Sequence, residues 1–380
     1  MRALRLWACS GVKVVSAAIL ALTLAGCAIG PDGPKPAELG PNTALLGIRQ
    51  AWVTKTGEIG FPLDIKVVGS TVTVASSSGV LQLIDARTGT DVWRVDVSTA
   101  LSAGVGSDGV FTAVVSQDNQ LIVLESGKEV WRQKLPAQGY TAPLVAGERV
   151  FVLLADRSVS AFDAKSGRKL WTQQRAGDAL VLLQAGVLHA VGDTLVVGLS
   201  GRMAGMNPQD GSVRWEASIA SPRGTNEIER LVDLVAGVSR DGTVLCTRAF
   251  QAAVGCVNAA RGALIWSKAA SGSVGLSGDD KFVYGVEGDG KVVAWRRTDG
   301  ERAWVSELLR YRGLSAPLAI GRSVAVGDAS GLVHLLSRED GAPLNRLSTD
   351  GSSIVAAPVL AGGTLVVVTR NGGVFGFKPE

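Results

Sequence analysis

Few residues of this chain are of types that carry out catalysis or bind metals, and those few do not cluster along the sequence. The two histidines, His189 and His334, are far apart, and each is flanked by apolar residues. Metal sites are usually built from closely spaced Cys and His, and many hydrolases carry a Gly-x-Ser-x-Gly turn; the sequence has neither pattern. It also lacks a Gly-x-x-x-x-Gly-Lys phosphate-binding loop. We therefore predict no catalytic residue, no metal site and no cofactor.

Two of the four cysteines, Cys246 and Cys256, are spaced for a cross-strand disulfide. A hairpin turn centred near Gln251 would place them opposite each other, where Cα atoms are ~4.5–5.5 Å apart, within the range that a disulfide spans. An oxidising compartment would favour the bond. The alternative is a pair of buried thiols that pack as small apolar groups.

The N-terminus has the pattern of an exported lipoprotein. Basic residues precede the apolar run Val14–Leu24, which is too short to span a bilayer comfortably, and small residues follow it. The sequence Leu24-Ala25-Gly26-Cys27 resembles a bacterial lipobox, in which the cysteine becomes the acylated first residue. We predict a signal peptide over residues 1–26 and a covalent lipid on Cys27, with an ordinary secretory cleavage site as the alternative.

The residues after Cys27 predict a tether and a location. Residues 27–45 are rich in Pro and Gly, which is typical of a linker between a lipid and a folded domain. Ala28, rather than Asp, follows the cysteine, and by resemblance to Gram-negative lipoproteins this implies the periplasmic face of the outer membrane.

Composition and charge narrow the class of protein. The chain is 46% hydrophobic and has 48 glycines, which favours an all-β protein with many tight turns. Residues 1–26 hold three basic residues and no acidic ones, so the rest carries 35 basic and 34 acidic residues, a formal charge of +1. A nearly neutral body gives no electrostatic basis for binding nucleic acid.

One pattern recurs from residue 46 onward: a strand, a turn, a second strand, then Gly, three residues and Trp. Successive Trp residues from Trp93 to Trp304 are 38, 40, 44, 51 and 38 residues apart. This period predicts propeller blades of four antiparallel strands, with the Gly in a turn at positive φ and the Trp packed between blades. The units are Ser78–Trp93, Asn119–Trp131, Arg157–Trp171, Gly201–Trp215, Ala252–Trp266, Gly290–Trp304 and Gly331–Asn345, the last with Asn in the Trp position.

The two ends of the repeat predict how the ring closes. The last unit stops at Glu380 before its own Gly-x-x-x-Trp strand, while Trp52 stands on a strand with no preceding hairpin. Pairing of the N-terminal strand with the C-terminal blade would complete an eight-bladed propeller over residues 46–380. It would also remove the open sheet edges that an unclosed array leaves.

Two segments resemble a known family. The stretches "TNEIERLVD" (Thr225–Asp233) and "SELLRYRGLSAPL" (Ser306–Leu318) are similar to segments of the BamB family, the propeller lipoproteins of the outer-membrane β-barrel assembly machinery. The resemblance implies a non-catalytic scaffold that binds the periplasmic domains of BamA and other assembly-complex subunits. It also implies a role in presenting unfolded outer-membrane proteins for insertion.

The same resemblance implies which residues contact the partner. Matched by position in the motif, they are Glu227, Glu229, Arg230, Leu231 and Asp233, with Leu180 and Leu182 one blade earlier. The sequence departs from the family at two neighbouring positions: Leu183 stands where the family has Arg, and Val235 stands where it has a second acid. We expect these departures to alter the partner surface in detail.

The charged segment Ser221–Leu234 supplies the surplus of the 51-residue step between Trp215 and Trp266. Long connections on one face of a propeller are common functional surfaces. Asn226 and Glu229 have capping-box spacing, which predicts a short helical turn. The alternative is a solvated loop whose charges keep it soluble.

Two other functions fit the repeat alone. Quinone-cofactor (PQQ-type) dehydrogenases share the Gly-x-x-x-Trp repeat, but they also carry adjacent cysteines and a set of calcium ligands that this sequence lacks. A propeller that binds a peptide or peptidoglycan is the second alternative. Neither accounts for the two family-like segments.

Overall fold

The structure is a computed structural model that describes residues 33–175, 180–222, 225–226 and 231–380. Four of the sequence-predicted site residues, Cys27, Glu227, Glu229 and Arg230, lie outside the described residues. Ala37–Glu380 forms one compact unit.

The described strands form eight four-stranded antiparallel sheets, as the repeat predicts. β1 covers Ile48–Lys55. Blade 1 contains β2 (Lys66–Val68), β3 (Thr71–Ala75), β4 (Val80–Asp85) and β5 (Asp91–Asp96); blade 2 contains β6 (Gly106–Ser107), β7 (Phe111–Val115), β8 (Gln120–Glu125) and β9 (Lys128–Lys134). Blade 3 contains β10 (Leu144–Ala146), β11 (Arg149–Leu153), β12 (Ser158–Asp163) and β13 (Lys169–Gln174); blade 4 contains β14 (Leu188–Val191), β15 (Thr194–Leu199), β16 (Arg202–Met206) and β17 (Val213–Ser218).

The second half of the chain repeats the arrangement. Blade 5 contains β18 (Leu234–Asp241), β19 (Val244–Ala249), β20 (Ala253–Asn258) and β21 (Ala263–Ala269); blade 6 contains β22 (Ser277–Gly278), β23 (Phe282–Val286), β24 (Val292–Arg296) and β25 (Arg302–Ser306). Blade 7 contains β26 (Leu318–Ile320), β27 (Ser323–Gly327), β28 (Leu332–Ser337) and β29 (Pro343–Ser348). Blade 8 contains β30 (Val359–Ala361), β31 (Thr364–Val368) and β32 (Gly373–Pro379), with β1 as its outer strand.

The predicted closure is confirmed. β1 pairs with β32 in antiparallel register from Ile48 opposite Pro379 to Lys55 opposite Gly373. The first and last described strands therefore share one sheet and complete the eighth blade.

Burial explains why the middle strands are so apolar. Every residue of β31 is buried, because both of its faces pack against neighbouring blades. In contrast, outer strand β5 alternates between exposed and half-buried residues. Hydrophobic clusters accordingly run between blades rather than through a single centre, as in the cluster that joins Val72 and Val74 of blade 1 to Val366 and Val374 of blade 8.

Seven blade joints are built on the same contact between a Trp ring and the turn Gly of the next blade. The pairs are Trp52–Gly89, Trp93–Gly127, Trp131–Gly167, Trp171–Gly211, Trp215–Gly262, Trp266–Gly300 and Trp304–Gly341. All seven glycines have φ between 63° and 78°, and a Cβ built on any of them would lie 2.4–3.0 Å from the nearest tryptophan atom. Glycine is therefore required for two reasons: the turn has positive φ, and a side chain would collide with the tryptophan ring.

The eighth joint, between blades 7 and 8, explains why Asn345 replaces Trp. Blade 8 has no hairpin at this place, because its third strand ends the chain and its outer strand begins the domain. Asn345 instead donates from Nδ2 to the carbonyl of Leu46 at 2.6 Å and accepts from Asn42 at 3.0 Å. The amide side chain joins the entering chain to blade 7 where a ring and a turn would otherwise meet.

The segment before β1 packs against blades 6 and 7. Ala37 donates its N–H to the Arg310 carbonyl at 2.9 Å and accepts from Arg312 at 3.0 Å. Leu45 donates its N–H to the Leu344 carbonyl on outer strand β29 at 2.7 Å. The C-terminal part of the predicted tether, residues 37–45, thus belongs to the compact unit.

Cys246 and Cys256 are directly opposed on β19 and β20, and the structure joins them by a disulfide. Both are fully buried, and the turn between their strands contains Gln251. The pairing closes a hairpin inside blade 5.

We expect Gly300→Ala to lower the free energy of unfolding by about 2–4 kcal/mol, from left-handed backbone strain and from overpacking against Trp266. Gly321→Ala is the matched control, because Gly321 also has positive φ (54°) but has no atom within 4 Å of a built Cβ. The control should lose only ~1 kcal/mol, from strain. Urea unfolding of both variants checks this, and equal losses would contradict the proposed ring contact.

Candidate protein-docking surface

Two irregular connections and one turn meet on one face of the propeller. Residues 180–187 belong to the connection from β13 to β14, and residues 231–233 belong to the connection from β17 to β18. The turn between β11 and β12 contains Arg157. Because the strands of a blade alternate in direction, connections from an outer to the next inner strand lie on the same face as the turns between second and third strands. We name the described residues 180–186 and 231–233 the docking surface.

Asp233 ties the two parts of the docking surface together. Its Oδ1 accepts from the Arg157 guanidinium at 3.1 Å, and its Oδ2 accepts from the Leu182 amide at 3.2 Å. Arg157 also donates to the Leu180 carbonyl at 3.0 Å. The side chains of this ion pair are only 8% (Arg157) and 17% (Asp233) exposed, so the pair is well shielded from solvent. The sequence predicts Asp233 as a partner contact; the structure shows it holding the surface in shape.

Further hydrogen bonds fix the connection before β14. Gly186 forms an isolated antiparallel bridge with Val235, and Ala236 donates its N–H to the Ala185 carbonyl at 2.8 Å. The Gln184 side chain donates to the carbonyl of Ser273 in the next connection at 2.7 Å. Residues 184–186 are therefore held by strand β18 and by the next connection, although they form no strand themselves.

Two leucines of the docking surface are exposed. Leu183 is 71% exposed, the largest value for a large apolar side chain among the described residues, and Leu180 is 37% exposed. Leu182 and Leu231 are half-buried. An exposed apolar pair on an otherwise well-bonded connection is typical of a protein contact site.

The structure distinguishes the two positions at which the sequence departs from the family motif, Leu183 and Val235. Leu183 enters the sequence analysis only as a missing Arg, yet it is the most exposed of the four residues Leu180–Leu183. Val235 is 3% exposed in β18, where a side chain cannot reach a partner without rearrangement. Residues 180–185 form no strand, and an apolar residue in an irregular connection is not buried by a sheet. A sequence signal for an irregular connection at residue 183 would therefore have indicated that Leu183 is exposed.

The charged part of the predicted site lies outside the described residues, namely Glu227, Ile228, Glu229 and Arg230. Most of the predicted helical turn lies there too. On either side, Thr225 and Asn226 form a bend, and Leu231–Asp233 have no regular structure. Leu231 and Val232 line a groove with Phe250 of blade 5.

Both histidines lie on strands of the blades. His189, on inner strand β14, has its pKa lowered to about 4 by desolvation, with the nearby cations Lys66 and Arg240 acting in the same direction. His334 lies 3.0 Å from Asp328, which also accepts from Arg312 at 2.8 Å. Burial raises the pKa of Asp328, but the hydrogen bonds from its neighbours outweigh this and hold the pKa below its usual value.

The described residues contain no metal-binding cluster and no membrane-spanning helix. Within residues 33–380, apart from the gaps named above, no three His, Cys, Asp or Glu side chains lie close enough to hold a metal ion. In the same part of the chain, no helix has the length and apolar character needed to cross a lipid bilayer.

Comparison with known proteins gives one consistent family. The family model described as "Outer membrane protein assembly factor BamB" matches residues 77–306. A relative of that name from Burkholderia pseudomallei is 36% identical, with 96% of this chain and 97% of the relative covered. Another from Bordetella pertussis is 35% identical over 92% of this chain and 93% of the relative.

Solved structures show the same fold. The crystal structure of BamB from Moraxella catarrhalis is similar at a TM-score of 0.79 and 23% identity, covering 87% of this chain and 99% of that one. Quinohemoprotein alcohol dehydrogenase from Comamonas testosteroni is similar at a TM-score of 0.67 and 16% identity, covering 89% of this chain and 78% of that one. At these identities, both likenesses concern the fold alone.

We expect Asp233→Ala to cost about 2–4 kcal/mol of folding stability, because it removes a shielded ion pair with Arg157 and the acceptor of the Leu182 amide. It should also speed hydrogen exchange at the Leu182 amide. Glu301→Ala, which breaks the exposed pair with Lys268, is the control and should cost under ~1 kcal/mol. Thermal unfolding and hydrogen exchange check both. Unchanged exchange at Leu182 would show that Asp233 does not hold the surface.

Proposed function

The chain belongs to the BamB family, and from that premise we propose that it is a non-catalytic assembly factor for outer-membrane proteins. In this proposal it acts as a scaffold: the docking surface binds the periplasmic domains of BamA, the barrel-forming partner, and thereby brings other assembly subunits and unfolded outer-membrane proteins together. The proposed function requires no cofactor.

The observation that carries the proposal is the pair of exposed leucines on a fixed backbone. Leu180 and Leu183 gain from burial in a partner, while the hydrogen bonds of Arg157 and Asp233 already hold their connection in one conformation. A surface ordered before binding loses little conformational entropy when the complex forms. The acidic and basic side chains of residues 227–230 stand next to it in sequence and supply charged contacts in the proposed interface.

The proposed location is the periplasmic face of the outer membrane, with a lipid on Cys27 as the anchor. The lipobox-like sequence before Cys27 supports this, and so does the family's name. Each buried CH₂ of an acyl chain contributes roughly 0.8 kcal/mol, so that several chains hold a protein stably on a membrane.

The fold does not favour the dehydrogenase alternative. The likeness to quinohemoprotein alcohol dehydrogenase extends over the propeller at 16% identity, which shows shared architecture only. The disulfide cysteines of this chain are ten residues apart on opposed strands, whereas the dehydrogenase pattern has adjacent cysteines. Family membership, rather than the shared ring, therefore determines the proposed function.

We expect the double substitution Leu180→Asp, Leu183→Asp to reduce co-purification of BamA from solubilised membranes at least tenfold, because two charges would be buried in an apolar contact. Val305→Asp is the control: Val305 is also exposed (41%) but lies on outer strand β25. Equal recovery with the double variant would disprove the site. Failure of the unaltered protein to recover BamA would disprove the function.

We expect Cys27→Ser to abolish lipid attachment and to release the protein from the membrane fraction. Cys9→Ser, inside the predicted signal peptide, is the matched control and should leave both unchanged. Radiolabelled palmitate incorporation and membrane fractionation measure the two effects. Persistent label on the Cys27 variant would show that the lipid is elsewhere.

A further inference from the structure

The joint between blades 1 and 2 differs from the other Trp–Gly joints in its hairpin. In blade 3, four residues (Ala164–Gly167) connect Asp163 to Arg168. In blade 2, Glu125 pairs directly with Lys128, so only Ser126 and Gly127 form the turn. Both have positive φ (50° and 78°), as a tight two-residue hairpin requires. The blade 2 turn is therefore two residues shorter.

The longer turn has a definite role at five of the other joints. At five joints the first residue of the longer turn offers its carbonyl to the indole N–H of the preceding blade, at 2.7–3.0 Å. The acceptors are Ala86, Ala164, Pro208, Arg297 and Arg338. The alanines among them are completely buried, so a small side chain fits there without leaving space.

At the blade 1–2 joint this partner is missing, and a cleft takes its place. Trp93 still packs on Gly127, but its Nε1 has no hydrogen-bond acceptor among the described residues. The cleft has a volume of about 240 Å³ and is lined by Trp93, Val68, Leu83, Val92, Val110 and Ser126. Among the described residues, Trp215 Nε1 also has no bonded acceptor. Its joint differs from the blade 1–2 joint, because it has a full-length turn over Ala259–Gly262.

One backbone hydrogen bond next to the cleft is longer than its counterparts in other blades. In blades 1 and 3, the first turn residue donates its N–H to a carbonyl between the first two strands at 2.9 Å, from Ala86 to Ser70 and from Ala164 to Glu148. In blade 2 the corresponding bond, from Ser126 to Val110, is 3.4 Å long. The side chains of Val110 and Val92 at the rim are 54% and 57% exposed.

We propose that this cleft is a binding site for an extended segment of another polypeptide chain. One residue of that segment gives its carbonyl to Trp93 Nε1 and its N–H to the Val110 carbonyl, which the Ser126 N–H reaches only at 3.4 Å. A small residue, Ala or Pro, enters the cleft, as Ala86 and Ala164 do at the joints on either side, and the flanking residues cover Val92 and Val110. The lining side chains carry no charge, but Thr71, Thr73, Ser107 and Thr112 contribute hydroxyl groups, so recognition rests on hydrogen bonds and side-chain size.

This site lies on the face opposite the docking surface. It is formed by turns between first and second and between third and fourth strands, whereas the docking surface is formed by the other connections. A chain bound in the cleft therefore leaves the docking surface free, and the site does not depend on the proposed function.

The test uses the peptide acetyl-Ala-Lys-Ser-Gly-amide, which copies Ala164–Gly167, and ¹⁵N spectra of the purified full protein. We expect a saturable shift of the Trp93 indole and Val110 amide resonances, with weak affinity because the peptide is short. Acetyl-Leu-Lys-Ser-Gly-amide should bind at least tenfold more weakly, because leucine exceeds the space that alanine fills. Absence of a shift, or equal binding of both peptides, would overturn the proposal.

Two variants complete the test. Insertion of Ala-Lys between Glu125 and Ser126 recreates the blade 3 turn; it should abolish the Val110 shift, and the other indole resonances report whether the ring stays intact. Trp93→Phe keeps a ring over Gly127 but removes the N–H donor, and it should weaken binding at least tenfold as read at Val110. Unchanged binding in a folded insertion variant would overturn the site, and Trp93→Phe decides the question if the insertion does not fold.

Discussion

The contact between an indole ring and the turn glycine of the next blade is the constraint on which this ring depends. A glycine is needed there because the turn has positive φ and because any Cβ would enter the ring. The indole N–H then finds a carbonyl in the same turn at most joints, so one side chain satisfies both packing and hydrogen bonding. Repeated around the ring, this contact sets the angle between blades, and the angle in turn sets how many blades close.

The joint between blades 7 and 8 does not have the Trp–Gly contact that the other joints repeat. The first and last strands of the propeller meet in blade 8, which has no turn to pack against a ring. Instead, the side-chain amide of Asn345 forms hydrogen bonds with Leu46 and Asn42 of the segment before β1. The same segment continues back along blade 7 to Ala37, so the chain is fixed to the ring before its first strand begins.

The middle strands are buried between blades, so that binding surfaces are formed by the connections, whose lengths differ from blade to blade. Two connections differ most clearly. The connection before blade 4, bonded through Asp233 to the lengthened connection before blade 5, carries exposed leucines on a fixed backbone. The shortened turn of blade 2 leaves a donor and a cleft where other blades supply their own carbonyl. Insertion and deletion in a repeated unit thus produce two different kinds of surface on opposite faces.

The sequence by itself determined the ring: the spacing of Gly and Trp predicted eight blades, and the unmatched ends predicted their closure, because these features are local and recur along the chain. It also identified the segments around residues 180 and 233 through their resemblance to a family. Only the tertiary structure decided what single residues do there. Asp233 faces a buried Arg157 that is 76 residues distant in sequence, Val235 is enclosed in blade 5, and Leu183 points to solvent. Exposure and ion pairing depend on which blades are neighbours in space, and no local pattern in the chain records that.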